Sequence, residues 1–264
     1  MTHHPQDAPH PFELICEIEP ATTPDLKRVR HQIGVLSPIA SAFLIPDNHI
    51  GRATVSSVAV AHEVESMGGR SIACLNARDR NLLGFRRDML TAAAYGVDQF
   101  LFIYGDEPTA GARTSELTVR TMLQEGRAYA RGLDRPDAMR FGVATGLGRL
   151  PAWKRQADFL FVQVGFSLDD LLAWRARPDV ADLGMPVYAG VIVVASASMA
   201  KSLEIPGVTL PPDLVDRLQT DRNAGIEAAC DLVMGIRDSG AFDGVHLIPV
   251  ARYREVAARL EPLL

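Results

Sequence analysis

Eight times along this chain a short apolar run rich in β-formers gives way to a longer amphipathic stretch. The strand candidates are Phe12–Glu19, Ile39–Ile45, Ser71–Asn76, Gln99–Tyr104, Met139–Thr145, Asp158–Val164, Val187–Val194 and Gly244–Val250. A helix opens at Thr23-Pro24-Asp25, and helical periodicity recurs over Ala53–Ser66, Asn81–Ala94, Thr114–Arg131, Ser167–Arg177, Asp221–Ser239 and Tyr253–Leu263. Near-continuous apolar strands separated by helices predict a parallel sheet covered on its faces. About eight such units in roughly 250 residues fit a closed barrel better than an open sheet. The expected fold is therefore α/β, a single (β/α)8 TIM barrel over residues 12–264, preceded by a loose polar leader at residues 1–11. The first strand supports closure. Leu14, Cys16 and Ile18 alternate with Glu17 and Glu19, and two carboxylates that an open sheet would bury can line a barrel mouth instead. The one long connection, Ser196 to Thr220, carries Ile205-Pro-Gly-Val-Thr-Leu-Pro-Pro212 and would hang over that mouth.

Composition removes several classes of function. With 27 basic and 32 acidic residues the net charge is −5, which offers no general attraction to nucleic acid or an anionic membrane. No uncharged stretch approaches the roughly 18 residues of a membrane span. The three cysteines, Cys16, Cys74 and Cys230, are far apart in apolar runs and read as reduced core residues of a cytoplasmic protein. The three lysines, Lys27, Lys154 and Lys201, fall in helical stretches, against Schiff-base chemistry at a strand end. His62-Glu63 lacks a second histidine at helical spacing, so no metal site is expected. No nucleophile elbow or Walker loop is present. Glu17 and Glu19 leave the same strand, whereas glycoside hydrolysis needs acids flanking the bond.

A barrel of this kind places function at the carboxyl ends of its strands. Those ends carry Glu17 and Glu19, Pro46-Asp47-Asn48, Arg78-Asp79-Arg80-Asn81, Gly105-Asp106-Glu107-Pro108, Gly146-Leu-Gly148, Gln163 and His246. Each has a plain structural reading. Asp79 can cap the helix that begins at Asn81, His246 reads as a hydrogen-bonded core histidine, and Gly146-Leu-Gly148 lacks the rest of a dinucleotide fingerprint. Convergence favours a site, because acids from strands one and four and the strand-six amide all point into one mouth.

In their order these motifs resemble the methylenetetrahydrofolate reductase family of flavin-containing barrels. Cys16-Glu-Ile-Glu-Pro-Ala-Thr-Thr23 is similar to the family's opening strand, Ile45-Pro-Asp-Asn48 to its second-strand turn, Arg78-Asp-Arg-Asn81 to its third and Gly105-Asp-Glu-Pro108 to its Gly-Asp-x-Pro. Gln163, Ile205–Pro211, Gly225-Ile-Glu and Phe242-Asp-Gly-Val-His246 follow in order. The resemblance implies transfer of hydride from NAD(P)H through FAD to 5,10-methylenetetrahydrofolate, giving 5-methyltetrahydrofolate. Folate and nicotinamide compounds would be the small-molecule partners, and assembly into a homo-oligomer is left open. Glu17 would match the general acid, with burial beside Glu19 raising its pKa. Asp106 would match the aspartate at the pterin and flavin, and Gln163 the amide that orients folate. Leu203 lies nearest the position of the folate-stacking aromatic. Arg78, Asp79, Asn81, Tyr104, Lys154 and Arg155 would fall at FAD.

The chain also departs from the family pattern. Cys74 stands near a usual histidine, Tyr104 replaces an arginine, Thr22 replaces a basic residue, and the helix around Leu150–Asp158 is shortened. Two further readings follow from these losses: a flavin-independent relative that keeps the folate pocket for reduction or one-carbon transfer, and a non-catalytic barrel that serves as a binding partner.

Overall fold

The computed structural model describes residues 12–19, 21–133, 139–203 and 207–264. The leader at residues 1–11 and the start of the Ile205–Pro211 run lie outside them. All eight strands form: β1 (Glu13–Glu17), β2 (Ala42–Ile45), β3 (Ser71–Asn76), β4 (Gln99–Ile103), β5 (Arg140–Thr145), β6 (Phe159–Val164), β7 (Val187–Ile192) and β8 (Gly244–Ile248). Each pairs in parallel with the next, and β8 returns to β1, closing the barrel. The chain is a (β/α)8 barrel.

Strand parity divides the apolar residues into two cores, because successive side chains of a strand point to opposite faces. Ile15, Leu44, Ile72, Cys74, Leu101 and Phe161 belong to the cluster that fills the barrel. Leu14, Cys16, Phe43, Ala73, Phe100 and Phe102 belong to a larger one that joins the strands to the surrounding helices. The inward parity of β1 selects Glu13, Ile15 and Glu17, so the strand ends with a carboxylate at the mouth.

The outer ring holds α1 (Lys27–Leu36), α2 (Ser57–Ser66), α3 (Leu82–Ala94), α4 (Val119–Gly132), α5 (Leu168–Arg175), α6 (Ala197–Ser202), α7 (Pro212–Thr220), α8 (Ala224–Ser239) and α9 (Tyr253–Leu260). Three start four or five residues later than the sequence pattern predicts. The helix expected from Thr23 begins at Lys27, whose amide donates to Asp25 Oδ1 at 2.9 Å. α2 begins at Ser57 rather than Ala53, and α4 begins after Thr118, whose hydroxyl accepts from the Thr121 amide in a capping box. Between β5 and β6 the connection is reduced to a short 3-10 segment, Ala152–Gln156. The long connection after β7 is largely helical, as α6 and α7. No helix among the described residues is long and apolar enough to cross a membrane.

Gly190 is dictated by the backbone. The pairing of β6 with β7 shifts register between Phe161 and Val164, and a Cβ on Gly190 would stand 2.6 Å from the Val162 carbonyl oxygen. Only glycine admits that approach. The irregularity brings Gln163 and Val164 together to the wall of the mouth, in the way bulges re-aim side chains beside sites.

Candidate active site

Glu17, the last residue of β1, meets His246 of β8 at the bottom of the mouth. His246 Nε2 lies 3.1 Å from Glu17 Oε2, and the two side chains keep only 11% and 13% of their surface in contact with solvent. Phe161 on β6 meets the imidazole in a T-shaped contact, with ring centroids 5.2 Å apart and planes at 71°. Two clefts meet here. One, of about 180 Å3, is walled by Glu17, Asp47, His49, Cys74 and Asp106. The other, of about 420 Å3, is walled by Thr145, Lys154, Phe161, Gln163 and Ile248. His246 and Leu101 face both.

Glu19 does not share this site. Regular strand structure stops at Glu17, and the Glu19 carboxylate turns outward to pair with Arg28. The residue beside Glu17 is thus a histidine from the far end of the chain rather than a second acid two positions on.

The turns after β2 and β3 are tied together by ionic hydrogen bonds. Asp47 Oδ2 accepts from the Asn76 amide at 2.9 Å, from Asn76 Nδ2 at 2.7 Å, and from Arg80. Arg80 also donates to Asp88 at 2.8 Å. Asp79 accepts from Arg78 Nε at 2.6 Å, from Arg78 Nη2 at 2.5 Å, and from the side chains of Asn48 and Asn76 at 2.8 and 2.9 Å. These bonds, those of the Arg78 guanidinium foremost, hold the Asp79 carboxyl down at about 2. Arg78 is 1% exposed, and its Nη1 has no partner among the described residues.

Asp106 lies in the wall of the smaller cleft, with Oδ2 accepting the Ile50 amide at 3.0 Å. Asn48, Ile50 and Gly51 on that loop all have positive φ. For Ile50 this is strained, since a β-branched side chain crowds its own backbone in the left-handed region. The loop is held in place from the β4 side, where the Thr109 amide and hydroxyl both donate to the Gly51 carbonyl at 2.9 Å. A strained residue over a cleft is where function is often found.

The remaining predicted residues separate into two groups. Gln163 and Lys154 stand together in the larger cleft, where Lys154 Nζ donates to the Ala144 carbonyl at 2.6 Å. Burial holds the Lys154 ammonium below the usual lysine pKa. The others are engaged elsewhere. Asn81, not Asp79, caps α3, its Oδ1 accepting the Gly84 amide at 2.8 Å. Tyr104 is half-exposed, with the Arg113 guanidinium 5.9 Å from its ring centroid. Arg155 donates to the Asp179 carbonyl at 2.8 Å. Leu203 packs against the Val194, Leu214, Leu218 and Ala224 cluster beneath α6 and α7. Among the described residues no group of three or more His, Cys, Asp or Glu side chains is disposed to hold a metal ion.

Sequence reading undervalued His246, Asn76 and Asp47. A signal for His246 was present, since it shares the inward parity of Gly244 and Ile248 on β8. That parity acquires meaning only once the barrel closes and sets β8 beside β1.

No protein-family model and no curated sequence matches the chain. Solved structures do. A Clostridium thermocellum protein that binds two copies of 5-methyl-5,6,7,8-tetrahydrofolic acid superposes with a TM-score of 0.65 over 97% of each chain, at 11% identity. A 2,3-dimethylmalate lyase matches with a TM-score of 0.54 at 12% identity, over 97% of this chain and 81% of its own. EDTA monooxygenase from Chelativorans matches with a TM-score of 0.54 at 9% identity, over 96% and 93%. At such identities the likeness is one of fold, and function must be argued from the site.

Proposed function

We propose that this barrel binds a reduced folate in its mouth and reduces 5,10-methylenetetrahydrofolate to 5-methyltetrahydrofolate with hydride taken directly from NAD(P)H. The observation that carries the proposal is the Glu17···His246 pair at the point where two clefts meet. A mouth of two adjoining compartments suits two flat ring systems side by side. A neighbouring fold that binds two copies of a tetrahydrofolate supports the same reading.

FAD, which the family resemblance implies, does not fit the residues expected to grip it. Arg78 is buried with Nε and Nη2 on Asp79, Asn81 caps α3, Tyr104 faces Arg113, and Arg155 is bonded to the Asp179 carbonyl. Lys154 alone of the expected cations reaches a cleft.

In this reading Glu17, in its acid form, gives a proton to N10 of the folate as the imidazolidine ring opens. The C–N10 bond breaks and leaves an N5 iminium. The nicotinamide C4 hydride then adds to the methylene carbon, yielding the methyl group and NAD(P)+. Asp106, in the same cleft as Glu17, holds the pterin, Gln163 faces the neighbouring compartment, and the enclosure of Glu17 keeps its proton from competing water.

The test is turnover by the purified protein with methylenetetrahydrofolate and NADH or NADPH, without added flavin. Methyltetrahydrofolate should form at a rate that added FAD does not change. Glu17→Gln should lower kcat by about 10²–10⁴-fold while leaving 5-methyltetrahydrofolate affinity intact. Absence of turnover refutes the reductase reading, and a protein that is active only when loaded with flavin refutes the direct transfer.

A further inference from the structure

Resting on that reading, we infer that His246 is the proton supplier to Glu17, linking the enclosed acid to water in the larger cleft. Glu17 lines the smaller cleft alone, whereas His246 lines both. The imidazole thus stands between the acid and the roomier compartment, with one ring nitrogen 3.1 Å from the carboxylate.

Three observations favour this role over simple packing. A polar contact kept nearly out of water adds little stability, because desolvation offsets most of what the bond returns, and an apolar pair could close this end of the barrel as well. Next, β7 sets Gly190 directly opposite His246, so the position facing the ring on that strand carries no side chain, while Phe161 on β6 meets the ring in a T-shaped contact. Finally, the acid needs a proton in every cycle. Once Glu17 has delivered its proton to N10, the imidazolium passes its Nε2 proton to the carboxylate. The neutral imidazole keeps its proton on Nδ1, turns to bring the vacated Nε2 to the larger cleft, regains a proton there from water, and turns back to Glu17. One proton enters and one leaves with the product, so no further reactant is required.

Other ionisable groups around the two clefts, His49 aside, are bonded elsewhere or held protonated by burial. Asp47 accepts from Asn76 and Arg80, Asp106 accepts the Ile50 amide, and Lys154 donates to the Ala144 carbonyl. Cys74 is buried and its thiol is pushed well up by that burial and by the nearby Glu17 and Asp47 carboxylates. His49 lies on the strained loop across the smaller cleft. Tyr188, lower in the barrel on β7, donates its hydroxyl to Glu13 at the opposite end. Glu17 is the group bonded to His246 Nε2.

His246 acts through Glu17, so its test needs readouts that a packing role would not move. His246→Gln keeps a donor for the carboxylate and loses the titratable proton. It should retain 5-methyltetrahydrofolate affinity, lose about 10²-fold in kcat, and change the shape of the kcat–pH profile relative to the wild type. Imidazole added to His246→Gly should restore turnover in proportion to its cationic form. Wild-type kcat and pH profile in His246→Gln overturn the inference. So does a loss of activity with an unaltered pH profile and no rescue by imidazole. If the wild type itself fails to turn over, the reductase reading falls and this role falls with it.

Discussion

Asp79→Asn probes the charge network that carries the β2 and β3 ends of the mouth. Asp79 takes two bonds from the buried Arg78 guanidinium, and its carboxyl sits at about 2 instead of the ordinary 3.8. At about 1.36 kcal/mol per pH unit, that difference corresponds to roughly 2 kcal/mol of stability at neutral pH. The variant also leaves Arg78 without an anionic partner, with Nη1 already unbonded, and breaking a buried pair by removing one member costs about 3–5 kcal/mol. Asparagine retains one acceptor, so we expect a loss of about 3 kcal/mol, read as a fall of roughly 6–12 °C in Tm. The pH dependence sharpens the test. Because the folded value is depressed, the contribution is fully present above the unfolded value and disappears as pH falls through the folded one. Roughly half has gone by pH 3. Urea unfolding at pH 7, 4 and 3 should show the gap between wild type and variant narrowing by about 1 kcal/mol at the lowest pH. Coincident curves at pH 7, or a gap that does not change with pH, would refute the reasoning.

Two further outcomes follow from the mouth. Ile50→Gly removes a β-branched side chain from a φ of +55°, relief worth about 1–2 kcal/mol against about 0.5–1 kcal/mol of added chain entropy. Thermal unfolding should therefore rise by a few degrees, and a fall would mean that the half-exposed isoleucine packs more than the backbone geometry implies. For the thiols, burial pushes Cys16 up to about 12 and Cys230 to about 11, and Cys74 in the cleft wall is raised as well. A thiol reagent at mildly alkaline pH should label none of the three in the native protein and all three in denaturant. Native labelling of Cys74 would show that the smaller cleft opens.

How far the sequence could be read depended on the range of the interaction involved. The eight strands were legible because each is a local run whose apolar residues must leave water whatever their neighbours. Helix starts at Lys27, Ser57 and Val119 were less legible, since polar residues ahead of them enter loops tied by distant groups, as Val55 is by the Ala21 carbonyl. The site divided along the same line. Glu17, Asp106 and Gln163 stand at strand ends, where chain order alone places them at the mouth. Asn81, Tyr104 and Arg155 carry polar groups that suit a cofactor as well as a cap, a neighbouring guanidinium or a carbonyl, and composition does not choose between those uses.

By itself, then, the sequence determined the barrel and which strand ends carry acids, because alternation and parity are properties of consecutive residues. Only the tertiary structure decided what stands beside Glu17. Closure sets β8 next to β1, so His246 occupies the place that sequence spacing had given to Glu19, while the end of the strand turns Glu19 outward to Arg28. The chemistry of an acid depends on its neighbour, and that neighbour lies 229 residues away along the chain.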